Sequence, residues 1–115
     1  MINNSILSLL IATTILTKSG GVNYFNDGTT VHKETYYNLK MNKVVETAHN
    51  NGLQGEYWIR EDGVKMFGDY VIVATNQSIH PYGSLVLTSL GIGIVLDTGD
   101  FTKDNKEQYD IAVNW

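Results

Sequence analysis

The sequence has no cysteine, one proline and few basic side chains. Without cysteine the chain can form no disulfide, no thiol nucleophile and no cysteine-ligated zinc site. The formal net charge is −4, and after position 60 the Lys and Arg residues are limited to Lys65, Lys103 and Lys106. An acidic chain with so few cations is a poor phosphate binder, which argues against nucleic acid as a partner.

A hydrophobic run long enough to span a membrane is also missing. Ile6 to Leu16 is mostly apolar, but eleven residues are too few to cross a bilayer and suit the apolar part of a signal segment. The preceding "MINNS" lacks the usual Lys or Arg, so the alternatives are a buried strand or helix, or a truncated signal. We expect residues 1–30 to be an apolar leader, a candidate signal segment, followed by a Gly- and Asn-rich linker over residues 17–30.

The remaining residues, 31–115, are enough for one domain with its own core. Short β-branched and aromatic runs recur about every ten residues and are bounded by Gly, Asp, Asn or Pro, which is typical of strands. We therefore predict a mainly β domain of six strands, closed as a small barrel or sandwich, with one helix over residues 42–50. The six predicted strands are "VHKETYY", "EYWI", "DYVIVAT", "SLVLTS", "GIGIVLD" and "QYDIAVN".

Turn residues support this division. Asn42 can cap the start of the helix, and Gly52 stands where a left-handed C-terminal cap is expected. Asp62-Gly63 is a hairpin signal. Pro81 and Gly83 suit the second and fourth positions of a type I turn.

Two aspartates directly adjoin the most hydrophobic segments, Asp97 in "GIVLDTGDF" and Asp110 in "DIAVNW". A buried carboxylate is costly unless it is paired or protonated. If the two strands pair, the acids could face one cleft, and burial beside a second acid would raise one pKa towards that of a general acid. The alternative is purely structural: Asp97 caps a turn through Thr98 and Gly99, and Asp110 accepts bonds from backbone amides.

No metal or cofactor site is predicted. The three histidines, His32, His49 and His80, lack the short spacing of zinc ligands. The spacing of Asp97, Asp100 and Asp104 does not match a calcium loop, because the glycine of "DTGD" stands at the third position, where such a loop has an acid or Asn.

The ordered pattern "DYVIVATNQSIHPYGSLV…GIGIVLDTG…YDIAVNW" resembles the bacterial 3D domain, named for three aspartates, which also occurs in the membrane-bound lytic transglycosylase A family and in muralytic stationary-phase survival proteins. The "ETYY" at residues 34–37 is similar to the first strand of that family, so the resemblance covers roughly residues 34–115. It implies a double-psi β-barrel. Two positions depart from the pattern: Asn76 stands where the family has its first aspartate, and Asp100 replaces the glycine that commonly follows Asp-Thr-Gly.

The resemblance also implies a function, the cleavage of peptidoglycan glycan strands by a lytic transglycosylase-type reaction. Asp110 would correspond to the general acid and base, and Asp97 to the acid that supports it. The implied substrate-binding residues are Asn76, Thr98, Gly99, Tyr36, Tyr37 and Tyr82, with Trp58 a further candidate for sugar stacking, although each aromatic residue also suits a core. A protein with this substrate would be secreted or attached to the bacterial cell surface.

Two other functions stay open from the sequence. Because one family acid is missing, the domain could bind glycan without cutting it. It could also be a structural or interaction domain with another partner.

Overall fold

The computed structural model describes residues 21–115, so the apolar run of the predicted leader lies outside the described residues. The described part contains eight β-strands, one α-helix and one short 3-10 helix. The strands are β1 (Asn23–Asn26), β2 (Val31–Tyr37), β3 (Tyr57–Ile59), β4 (Lys65–Phe67), β5 (Tyr70–Ala74), β6 (Leu85–Thr88), β7 (Gly91–Asp97) and β8 (Tyr109–Ala112). The α-helix α1 is Asn42–Asn50, and the 3-10 helix is Asp100–Lys103.

The mainly β class and the single added helix are confirmed for residues 21–115, but the number of strands is eight rather than six. Strand β1 lies within the segment that its Gly and Asn content predicted to be a linker, and it pairs antiparallel with β2. Strand β4 is the second arm of a hairpin whose first arm is β3. At three residues it is too short to show an alternating pattern. In this same described range, no helix has the length and apolar character needed to cross a membrane.

All eight strands belong to one sheet. Its main path runs β1-β2-β8-β5-β4-β3, and β7 and then β6 continue from β5. The pairs β2–β8 and β5–β7 are parallel, whereas the other pairs are antiparallel. Strand β8, the last along the chain, therefore lies between β2 and β5.

The sheet is strongly curled. The buried carboxylate of Glu34 on β2 accepts hydrogen bonds from the backbone nitrogen and the hydroxyl of Ser89, at 2.9 and 2.5 Å. Ser89 lies in the turn between β6 and β7. In a flat sheet β2 and β6 would be about 19 Å apart, at four strand spacings. The direct contact therefore requires the two ends of the sheet order to approach each other.

Side chains on the two faces of the sheet form two hydrophobic cores. One core contains Val71, Val73, Val95, Tyr109 and Ile111, together with other buried residues of the curled sheet. The alternate positions of the same strands form a second core under α1, which includes Ile72, Ile94, Leu96, Ala112 and Ala48. Successive residues of a strand point to opposite faces, so this division follows from the strand period of two.

Helix α1 ends as its sequence predicts but begins differently. The N-cap residue is Met41, whose carbonyl accepts from Val45 at 2.8 Å, so Asn42 is already helical and makes no side-chain cap. At the other end Gly52 has φ +86°, and the next amide, that of Leu53, donates to the Ala48 carbonyl at 3.0 Å. This is the left-handed C-terminal cap that glycine favours.

Both predicted turns are present, one of them shifted by a residue. The β3–β4 hairpin closes around Gly63, which has φ +88° and donates to the Arg60 carbonyl at 2.8 Å. The proline turn spans Pro81–Ser84, since Ser84 donates to the Pro81 carbonyl at 2.9 Å, and Gly83 has φ +82°. A positive φ at the third residue is the signature of a type II turn, so the predicted type I turn is wrong.

Candidate functional site

The two aspartates singled out from the sequence flank one residue of a central strand. Ala74 on β5 is in register with Asp97 on β7 and with Asp110 on β8. Residues paired directly across neighbouring strands point to the same face of a sheet. Two strand spacings separate the aspartate backbones by about 9–10 Å. The structure thus places both acids on the helix side of the sheet, at the end of the second core.

A β-bulge places Asp97 on that face. Val73 pairs with Val95, but the next residue, Ala74, pairs with Asp97 rather than Leu96. The extra residue means that Leu96 and Asp97 together oppose one residue of β5. Without it, strict alternation would turn the Asp97 side chain towards the other core. Bulges commonly re-aim a side chain in this way beside functional sites.

Asp110 is half-buried, and its environment favours the protonated form. Burial raises the pKa of the Asp110 carboxyl, the hydrogen bond from Thr35 lowers it, and the negative charge of Asp97 raises it again, leaving it above its ordinary value. The Thr35 hydroxyl donates to Asp110 Oδ1 at 2.9 Å. An acid with a raised pKa in a partly buried position can keep a proton to transfer.

Asp97 has different hydrogen-bond donors from those of Asp110. The Tyr37 hydroxyl donates to its Oδ2 at 3.0 Å, and the Thr98 backbone nitrogen donates to its Oδ1 at 2.9 Å. The second bond is part of the structural alternative predicted for this residue. The two aspartates therefore differ in surroundings: Asp97 accepts from a hydroxyl and a backbone amide, whereas Asp110 accepts from the Thr35 hydroxyl.

Tyr37 connects the two acids electrostatically. Burial first, then the charge and hydrogen bond of Asp97, and finally the charge of Asp110 raise the pKa of the Tyr37 hydroxyl far above its ordinary value. It is therefore a permanent donor at any physiological pH. Its hydroxyl serves Asp97, and its ring packs against the second core, so this residue supports an acid as well as lining the site.

Asn76 lies two residues beyond Ala74, and its side chain is engaged locally. Its Oδ1 accepts from the backbone nitrogens of Ser78 and Ile79, at 2.9 and 3.2 Å. Its Nδ2 donates to the Thr102 carbonyl at 3.4 Å. These bonds stabilise the turn after β5. A carboxylate could accept the same two amide bonds, but it could not make the third.

The other predicted substrate-binding residues fall in two groups. Thr98 and Gly99 follow Asp97 directly, and Gly99 accepts from Thr102 at the start of the 3-10 helix. Tyr36 is on the opposite face of β2 from Tyr37, where its ring meets Trp115 at 4.8 Å between centroids. The structure therefore does not bring Tyr36 to the acids.

Tyr82 lies in a packed position, whereas Trp58 is exposed. The Tyr82 ring packs against the second core, and its buried hydroxyl has no hydrogen-bond partner. Trp58 lies on β3, half exposed, and its Nε1 donates to the Gly68 carbonyl at 2.7 Å.

Two residues of the site were not predicted from the sequence, Thr35 and Gln108. Gln108 Nε2 donates to Thr35 Oγ1 at 2.9 Å, and Thr35 in turn donates to Asp110. Thr35 and Tyr37 are alternate residues of β2, so both hydroxyls reach the same face. Thr35 could have been found from its spacing, since it stands two residues before Tyr37 and therefore on the same strand face. Among residues 21–115 no group of three or more His, Asp or Glu side chains is placed to hold a metal ion.

Comparison with known proteins gives no relative. No protein-family model, no curated protein and no solved structure matches this chain.

Proposed function

We propose that this protein cleaves peptidoglycan glycan strands by a lytic transglycosylase-type reaction. The observation that carries the proposal is the placement of Asp97 and Asp110 on either side of Ala74, with the pKa of Asp110 raised by burial and by the neighbouring acid. A single carboxyl that first gives and then takes a proton meets the chemical need of this reaction.

In the proposed reaction, protonated Asp110 donates to the oxygen that links N-acetylmuramic acid to N-acetylglucosamine, and the glycosidic C1–O bond breaks. The Asp110 carboxylate then accepts the proton of the C6 hydroxyl of the muramic acid residue. That oxygen bonds to C1 and closes a 1,6-anhydro ring. The first proton stays on the released N-acetylglucosamine oxygen, and Asp110 ends protonated by the proton of the C6 hydroxyl. No water is consumed, and a second carboxylate nucleophile is not required, unlike in most glycoside hydrolases.

Asp97 would act by electrostatic stabilisation and would not transfer a proton. The positive charge that develops on the sugar ring during C1–O cleavage is stabilised by a nearby carboxylate. Its bonds from Tyr37 and Thr98 keep Asp97 in place for this role.

The strand pairing supports the finer fold proposed, a double-psi β-barrel. Its support is the two parallel pairs, β2–β8 and β5–β7, joined by the antiparallel β5–β8 pair, together with the Glu34–Ser89 contact that curls the sheet. From the glycan substrate we further propose that the protein is secreted or attached to the cell surface.

A second candidate function is glycan binding without cleavage. It is favoured by Asn76, which cannot ionise and whose amide is already used in the turn after β5. In this case the same face would hold a glycan strand, and no bond would break.

The test is incubation of purified murein with the wild-type protein and with Asp110→Asn, followed by mass spectrometry of the soluble products. We expect anhydromuropeptides from the wild type and about a 100- to 10,000-fold loss in the variant, the usual effect of removing an acid–base group. The control is Asp69→Asn, a change at an acid in the β4–β5 turn, which should leave release unchanged.

The outcomes separate the candidates. Retention of murein without soluble products favours the glycan-binding function. If the protein neither retains murein nor releases products, both functions are excluded. Products with hydrolysed reducing ends would instead indicate a hydrolase. Equal release by wild type and Asp110→Asn would contradict the mechanism.

A further inference from the structure

A buried histidine lies at the point where β8 begins. His32 on β2 is 1% exposed, and both of its ring nitrogens face oxygen atoms. Nδ1 is 2.7 Å from the Glu107 carbonyl oxygen, and Nε2 is 2.7 Å from Asp27 Oδ2. A carbonyl oxygen can only accept, so Nδ1 carries a proton.

Nε2 carries a proton as well, because Asp27 is a carboxylate. Burial opposes ionisation of Asp27, but hydrogen bonds from Thr29, His32 and Thr30 outweigh it and hold the pKa of Asp27 well below its ordinary value. Two short contacts to acceptors can both be hydrogen bonds only if the ring is an imidazolium. Its charge is balanced by Asp27, and the Tyr109 ring stacks on it at 4.2 Å between centroids, an arrangement that favours a cation.

Other titratable groups also face this ring. The Glu107 carboxylate is 3.5 Å from His32 Nδ1, and it also accepts from His80 Nε2 at 3.1 Å. The Tyr109 hydroxyl is 3.3 Å from His32 Nε2. Glu34, the next inward-facing residue of β2, is bonded to Ser89 and Asn23 instead. Of these groups, the Glu107 carbonyl and the Asp27 carboxylate make the two shortest contacts with the ring nitrogens of His32, both at 2.7 Å.

The position of His32 matters because of the register of β2 on β8. Thr35 bonds to Asp110 and His32 bonds to Glu107, and both contacts join residues 75 apart in the chain. The parallel ladder itself has four residue pairs, Glu34–Tyr109 to Tyr37–Ala112. The His32 side chain thus extends the same register two residues upstream. From the other side, Thr75, the residue after β5, donates to the Gln108 carbonyl at 2.8 Å.

We infer that His32 is a positioning residue, a buried imidazolium between Asp27 and the Glu107 carbonyl that fixes the register of β8 and thereby the orientation of the Asp110 carboxyl. A slip of one residue would turn Asp110 to the other face of the sheet, since the side-chain period of a strand is two. The catalytic consequence rests on the function proposed above. The effect of His32 on the surroundings of the Asp110 carboxyl does not depend on that function.

The test compares His32→Gln with His49→Gln. Both histidines donate to a backbone carbonyl at 2.7 Å, but His49 is an exposed residue of α1 and bonds to Gly55. Glutamine can still donate one bond at position 32 but carries no charge. We expect His32→Gln to shift the titration of the Asp110 carboxyl, followed by carbon-13 NMR, and His49→Gln to leave it unchanged.

On soluble glycan strands, His32→Gln should lower kcat about 10- to 100-fold with little change in KM, because a misplaced acid affects the chemical step more than binding. A wild type without activity would refute the proposed function, and the Asp110 titration would still decide the role of His32.

A second measurement covers the case in which His32→Gln does not fold. Nitrogen-15 NMR of the wild type should show a proton on both His32 ring nitrogens at pH 7, since both face an acceptor at 2.7 Å, and Asp27→Asn should change the Nε2 signal because it alters the acceptor of that nitrogen. A neutral His32 ring at pH 7, or an Asp110 titration identical in the two glutamine variants, would overturn the inference.

Discussion

Asp110 and Asp97 are the same residue type on one face of the sheet, but their neighbours give them different environments. Both are half-buried and both accept a hydroxyl bond from β2, Asp110 from Thr35 and Asp97 from Tyr37. Asp97 also receives a backbone amide, whereas burial dominates for Asp110. The pKa of Asp110 is raised because burial outweighs the single hydroxyl bond that it accepts.

The raised pKa of Asp110 gives a stability prediction with a definite sign. A carboxyl whose pKa is higher in the folded than in the unfolded protein stabilises the fold below the unfolded pKa, and this contribution is lost as pH rises through the folded pKa. Asp110→Asn removes the charge that burial disfavours. We expect thermal unfolding at a higher temperature in the variant than in the wild type at pH 7, and no such gain at pH 3. A variant less stable at pH 7 would contradict the raised pKa.

Two variants at the neighbouring acid should move the pKa of Asp110 in opposite directions. Asp97→Asn removes a negative charge that raises this pKa, so the pKa should fall. Tyr37→Phe removes a donor that partly neutralises Asp97, so the pKa should rise. Carbon-13 NMR titration measures both. Shifts of the same sign would show that the two acids are not coupled through this hydroxyl.

At the scale of elements, local signals predicted the helix, its glycine cap and the β3–β4 hairpin. Each depends on a few adjacent residues, such as Gly52 and Asp62-Gly63. The bulge in β7 could not be predicted this way, because "GIVLDTG" contains no residue that marks an extra position. The bulge is visible only from the partner strand, where Ala74 meets Asp97 instead of Leu96. The sequence therefore indicated the acids but not what turns them to one face.

The β3–β4 hairpin offers a matched pair of glycine substitutions. Gly63 and Gly28 both have positive φ, +88° and +108°, so alanine is strained at either position, by about 1–2 kcal/mol. A Cβ on Gly28 would meet open space, whereas one on Gly63 would lie 2.6 Å from the Trp115 ring. We expect Gly63→Ala to reduce the free energy of unfolding by about 2 kcal/mol more than Gly28→Ala. Urea denaturation measures the difference, and equal losses would mean that the Trp115 segment moves aside freely.

At the scale of the whole molecule, Glu34 joins parts of the sheet that are distant in strand order. Its carboxylate accepts from Ser89 and also from Asn23 Nδ2, at 3.0 Å, so it connects β1, β2 and the β6–β7 turn. It was not among the candidate residues from the sequence. Nothing local distinguishes a buried acid of this kind from a surface acid in a strand, since its donors come from segments 11 and 55 residues away.

Glu34→Ala should therefore destabilise the entire domain, because it leaves buried donors without an acceptor and creates a cavity. We expect a loss of about 3 kcal/mol or more in the free energy of unfolding. Glu56→Ala, at an exposed acid just before β3, is the control and should change it by less than about 0.5 kcal/mol. Similar losses in the two variants would show that the Glu34 contacts do not stabilise the curled sheet.

The central place of β8 has a consequence for the order in which the protein matures on the ribosome. The strand that carries Asp110 is translated after the two strands between which it inserts, and its contacts with β2 span about 75 residues of chain. A nascent chain that has not yet released β8 keeps β2 and β5 as exposed edges and has no Asp110–Thr35 contact. The proposed activity therefore requires β8 to have joined the sheet, and a chain that lacks β8 would expose the strand edges of β2 and β5 that β8 covers, which favours aggregation.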